Sequence, residues 1–119
     1  MSVTATPKSR KLDHRGMSIR TLKQASEVLR VIAHPIRLKL LELLLREQFA
    51  VHELAEYVGQ MPHVVSQHLN LMKAHGIVQP QRRGKQVFYE VKHRAATSIL
   101  RCIAQQNQLH TNYQDGEAI

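Results

Sequence analysis

At 119 residues the chain has room for one domain and one modest core. With 43% hydrophobic residues but only 4% aromatics, that core must be built mostly from Leu, Ile, Val and Ala. The formal net charge of +8, from 17 Lys and Arg against 9 Asp and Glu, favours a polyanionic partner, and the single cysteine, Cys102, excludes an intramolecular disulfide.

Residues 1–17 (MSVTATPKSRKLDHRGM) are polar and basic and read as a flexible arm. They lack the apolar run of a signal peptide, and no segment approaches a membrane span, so a cytoplasmic protein without a membrane partner is expected. A domain follows over 18–110. Its first helix runs from Ser18 to about Ile32, with Leu22, Ala25, Leu29 and Ile32 on one stripe. His34-Pro35 interrupts it, because the residue before proline avoids helical backbone. Pro35 then suits the first turn of a second helix, where a missing N–H costs nothing. That helix, IRLKLLELLLRE, is apolar on most sides and belongs at the centre of the core.

Val51–Val58 reads as a short helix, and Gly59-Gln60-Met61 as a turn. Pro62 opens the next helix, which runs to about His75 with Val65, Leu69 and Met72 facing inward. Gly76 is its left-handed stop. Ile77–Gln81 and Gln86–Val91 read as strands around a tip of Arg82-Arg83-Gly84-Lys85, with Val87, Tyr89 and Val91 alternating inward. A last helix covers about His93–Gln108, with Ala96, Ile99, Leu100 and Ile103 on its apolar stripe. Cys102, close to that stripe, reads as a small buried hydrophobe. Residues 111–119 read as a disordered tail. The fold class is mainly α with a small β-hairpin, in the order α-α-α-α-β-β-α. The stripes of the first and last helices are surplus to one small core, so Leu22, Leu29, Ile99, Leu100 and Ile103 are expected to pair with a second copy.

Helix, turn, helix and basic hairpin together suit double-stranded DNA. One helix enters the major groove, one braces it, and the hairpin meets phosphate. On the entering helix, His63, Val64, Ser66, Gln67 and Asn70 lie outward or on the flanks. Gln67 can pair bidentately with adenine, Ser66 can bond a base or a phosphate, and Val64 can pack on a thymine methyl. Arg82, Arg83 and Lys85 on one tight turn would each add salt-dependent affinity for phosphate.

Three motifs carry a family resemblance. Ala33-His34-Pro35-Ile36-Arg37-Leu38, Val65-Ser66-Gln67-His68-Leu69 followed by Gly76-Ile77-Val78, and Arg82-Arg83-Gly84-Lys85-Gln86-Val87-Phe88-Tyr89 resemble the ArsR/SmtB-type winged helix-turn-helix repressors. The resemblance covers about residues 20–105. It implies a homodimer built on the first and last helices that represses transcription until an effector binds. One departure is Met61, a poor N-cap where such proteins usually carry Ser or Gly.

The family's effector residues are mostly missing. Thiolate-binding members carry Cys-x-Cys before the recognition helix, where this chain has Glu53-Leu54-Ala55-Glu56-Tyr57. Sulfur-sensing members place cysteines where Glu42 and Gln108 stand. At the zinc-type positions lie His93, Ala95, Gln106 and Leu109. The expectation is therefore no cofactor and an unassigned effector. The alternative is a non-standard nickel or zinc site from His14, His93 and His110 across the dimer. Two further alternatives are a constitutive DNA-binding module and a protein-interaction winged helix, the latter disfavoured by the basic wing. The chain shows no nucleophile–base order, Gly-rich phosphate loop or paired acidic cluster, so it does not read as an enzyme.

Overall fold

A computed structural model describes residues 16–118, with side-chain surroundings through Asn107. The arm lies outside the described residues up to position 15, and His14 with it. Within them the chain forms α1 (Ile19–Ile32), α2 (Pro35–Arg46), α3 (Val51–Val58), α4 (Pro62–Ala74), β1 (Val78–Arg83), β2 (Gln86–Val91) and α5 (Arg94–Ala118). No helix among these residues is long and apolar enough to cross a membrane.

Local chemistry sets the helix ends. Ser18 caps α1, its hydroxyl accepting from the Thr21 N–H at 3.1 Å. His34 caps α2 through Nδ1, which accepts from the Ile36 N–H at 3.1 Å, and Pro35 occupies the first turn. Glu53 reaches back to accept from the Ala50 N–H at 2.8 Å, half of a capping box for α3. Gly59 (φ 67°) and Gly76 (φ 71°) end α3 and α4 in left-handed backbone.

The core is centred on α2. Leu40, Leu41, Leu43 and Leu44 are all buried, and Ile32, Leu54, Val65, Leu69, Met72, Ile77, Val78 and Ala96 close around them. The hairpin is antiparallel, from Val78 opposite Val91 at its base to Arg83 opposite Gln86 at its tip. Tyr89 and Val91 pack against the core, and Phe88 makes a bridge to Ala50 that joins the free edge of β2 to the α2–α3 junction.

Several expectations are corrected. The first strand runs Val78–Arg83, so Arg82 and Arg83 are paired strand residues and the turn shrinks to Gly84-Lys85. Val87 is half-buried but lies beyond the end of the core and does not pack against it. The last helix continues to Ala118 instead of giving way to a tail at 111. Nothing between Arg94 and Gln114 breaks a helix; Thr97, Asn107, Thr111 and Asn112 weaken it without stopping it. Cys102 is exposed, because it lies two residues from Leu100, on the far side of the helix from the buried Ala96 and Leu100. Leu100 is itself only 8% exposed and packs into the chain's own core, which leaves little of it for a partner.

Leu69 joins α4 to this core and is fully buried. Leu69→Ala should lower stability by about 2–5 kcal/mol through lost transfer energy and a residual cavity. A urea unfolding curve would measure it, and a smaller loss would mean that α4 is not held by core packing.

Candidate nucleic-acid interface

The residues of α4 divide cleanly into two sides. Val65, Leu69 and Met72 are completely buried. His63, Gln67 and Asn70 are exposed, while Val64 and Ser66 are half-buried on the flanks. A helix held by i, i+4, i+7 contacts must present the remaining side outward, so the polar face follows from the apolar spacing. Met61, before α4, offers no side-chain cap; its carbonyl alone accepts from the Val64 and Val65 N–H groups at 3.0 and 3.1 Å.

The wing follows within a few residues. The Ile77 N–H donates to the Met72 carbonyl at 2.9 Å, which turns the chain from α4 straight into β1. At the tip Gly84 has φ 63°, as a two-residue hairpin turn requires at its first central position. Arg82, Arg83 and Lys85 are exposed, and among the described residues none is in an ion pair. Alternation along the strand points Arg82 and Arg83 to opposite faces of the ribbon. The carboxylate of the wing is held away from the tip. Glu90 Oε1 accepts from Gln79 Nε2 and Gln81 Nε2, each at 2.8 Å, with Lys92 Nζ at 3.9 Å.

Sequence reasoning missed a polar cluster behind α4. Arg37 Nε donates to His68 Nδ1 at 3.1 Å, and its Nη1 donates to the Val31 carbonyl at 2.7 Å. The rings of His34 and His68 lie 4.8 Å apart at 52°. His68 has its pKa pushed below the ordinary histidine value, first by burial, then by His34 and Arg37. Arg37 and His68 each sat inside a motif already singled out, but nothing in their spacing announced that they touch.

The proposed partner face is uneven. Leu22 and Leu29 are 42% and 47% exposed on α1, and Ile103 is 45% exposed on α5, whereas Ile99 already packs against the core. The three metal candidates are not brought together by what is described. His93 Nδ1 accepts from the Ala95 N–H at 3.2 Å and so caps α5. His110 lies in α5 with its side chain outside the described residues, as His14 is altogether. Among the described residues no three His, Cys, Asp or Glu side chains are placed to share a metal ion.

Residues 34–79 match the model of the arsR family of bacterial regulatory proteins. Over 84 residues the chain is 37% identical to the HTH-type transcriptional repressor SmtB of Mycobacterium tuberculosis, across 70% of this chain and 62% of that protein. It thus spans somewhat less than two-thirds of that relative. Over 105 residues it is 32% identical to the biofilm growth-associated repressor of Agrobacterium fabrum, across 85% of this chain and 90% of that one. In structure it resembles a homodimeric winged helix-turn-helix DNA-binding domain from Mycobacterium bovis, with a TM-score of 0.64, 22% identity and 95% of each chain covered. The fold is a winged helix-turn-helix.

Because Met61 is exposed and caps nothing, Met61→Ser should stabilise the free protein by about 1 kcal/mol. The midpoint of thermal or urea unfolding should rise; an unchanged midpoint would show that the new hydroxyl does not cap α4.

Proposed function

We propose, since this chain belongs to the arsR family of bacterial regulatory proteins, that it is a homodimeric, sequence-specific transcriptional repressor acting in the cytoplasm. It is a regulator of DNA and not an enzyme. The observation that carries this reading is one continuous surface chemistry: an outward polar face on α4, followed at once by three exposed, unpaired cations on a short hairpin.

In this reading α4 enters the major groove. Gln67 reads a base edge, with His63, Val64, Ser66 and Asn70 around it. Arg82, Arg83 and Lys85 bind phosphate, and a charge of +8 steers the encounter. A two-fold dimer places two α4 helices on two half-sites, so the operator is an inverted repeat. The exposed Leu22, Leu29 and Ile103 form the dimer face, because their apolar surface is not used by the chain's own core. An effector releases the operator by favouring a shape of the dimer that cannot span both half-sites.

Gln67→Ala should lower affinity for a duplex selected from a random pool by about 1–3 kcal/mol, with little change on unselected DNA. Arg83→Ala should weaken both and flatten the dependence of log K on log salt by about one. Fluorescence anisotropy at several salt concentrations measures both, and an equal loss for Gln67→Ala on the two duplexes would rule out base reading by Gln67.

Charge placed on the proposed dimer face should separate the copies without unfolding them. Leu29→Glu, at a position 47% exposed, should shift sedimentation from dimer to monomer at micromolar concentration. A dimer that persists would move the interface elsewhere.

A further inference from the structure

We propose that Arg37 is a positioning residue for the recognition helix, acting through His68, and that protonation of His68 undoes the positioning. This rests on the reading of α4 as the helix that recognises DNA. One half-buried guanidinium joins three helices: it stands on α2, donates to the Val31 carbonyl in the last turn of α1, and donates to His68 on α4. The Val31 carbonyl is one of the four that a helix end leaves without an intrahelical partner, so Arg37 completes α1 as well. His68 is the neighbour of Gln67. The apolar anchors of α4 set its distance from the core and the face it turns outward, whereas the bond at His68 adds a directional contact that narrows its roll about its own axis.

The bond demands one protonation state. Nδ1 can accept from Arg37 only while it carries no proton, so His68 is the neutral Nε2–H tautomer. His34 Nδ1, beside it, accepts from the Ile36 N–H. The charged or titratable groups facing His68 are Arg37 on α2 and His34 at its cap, while α1 contributes through Arg37 only the neutral Val31 carbonyl. At the C-cap of α4, His75 Nδ1 is turned to the Leu71 carbonyl at 3.1 Å. Among the described residues no carboxylate from α3 or any other element lies within ion-pair range of His68. An imidazolium there would face a guanidinium and lose its acceptor. Its pKa is lowered in the folded protein, which agrees with this geometry.

The sign follows. The unfolded chain takes up the proton near pH 6.5, about the ordinary histidine value, and the folded chain only at lower pH. The contribution to stability is complete above that value and is lost as pH falls through the depressed pKa. For DNA two effects separate. The added charge favours any duplex, whereas the lost bond weakens only the discrimination between duplexes.

The test begins on the free protein, with ¹⁵N NMR of the His68 ring and amide-exchange protection along α4 from pH 8 to pH 5. Nδ1 should appear as an unprotonated acceptor at pH 7.5, and protection in α4 should drop about tenfold once it titrates. Next, affinity is compared for a duplex selected by the wild-type protein at pH 7.5 and for an unselected duplex of equal length. The ratio should fall about tenfold on acidification. His68→Asn, which keeps an acceptor near Nδ1 and does not titrate, should hold the ratio constant. Arg37→Lys should lower it at every pH. A protonated Nδ1 at pH 7.5, or α4 protection indifferent to titration, would overturn the proposal. So would a preference that does not change with pH. If no duplex is enriched, the recognition reading fails, and the NMR and exchange results on the free protein still decide whether Arg37 holds α4.

Discussion

A helix with four leucines on one broad side must bury that side, and Pro35–Arg46 is that helix. Leu40, Leu41, Leu43 and Leu44 fill one broad side of it, and α1, α3, α4, the base of the hairpin and α5 pack against that side, while Lys39, Leu45 and Arg46 stay exposed. The outward face of α4 is set by the three side chains that α4 commits to this centre. The wing is set in the same way, because Val78, Tyr89 and Val91 at its base belong to the core while its tip does not. Polar surface is thus created as the complement of apolar burial. One Arg side chain, reaching Val31 and His68, adds directional contacts to that non-directional packing.

Most of this order was legible in the chain because it rests on local chemistry. Pro35, Gly59, Gly76 and Gly84 mark boundaries whose backbone geometry they require or permit. Val65, Leu69 and Met72 announce a helix face by spacing alone. What escaped was non-local or lay at the fraying end of a pattern. Arg37 and His68 stand 31 residues apart, and no periodicity links them. Leu100 and Ile103 belong to one stripe in the sequence, but of the two only Leu100 reaches the core, which spacing along one helix cannot announce. The end of α5 was misplaced because polar residues without proline reduce helix propensity gradually and give no sharp stop. Effector chemistry was not legible at all, since the residues at the positions weighed for it, such as Glu42, Ala95 and Gln106, announce no ligand set.

Charge is arranged as economically as packing. Among the described residues the basic side chains of the tip have no carboxylate in ion-pair range, whereas Glu90 is held by two amides further down the ribbon. Neutral donors satisfy that carboxylate without recruiting Arg82 or Arg83. The cations stay available, and the wing carries no internal salt bridge at its tip that a polyanion would have to break.

The tight turn at Gly84-Lys85 has a thermodynamic consequence. A long, slack loop would have to surrender conformational freedom to lie along a phosphate backbone, and that loss would oppose binding. Here the strands are paired up to Arg83 and Gln86, so the backbone carrying the cations is already ordered before any encounter. Only the long side chains remain to be immobilised. In the proposed complex, the release of ions from DNA would then be opposed by little ordering of the wing itself.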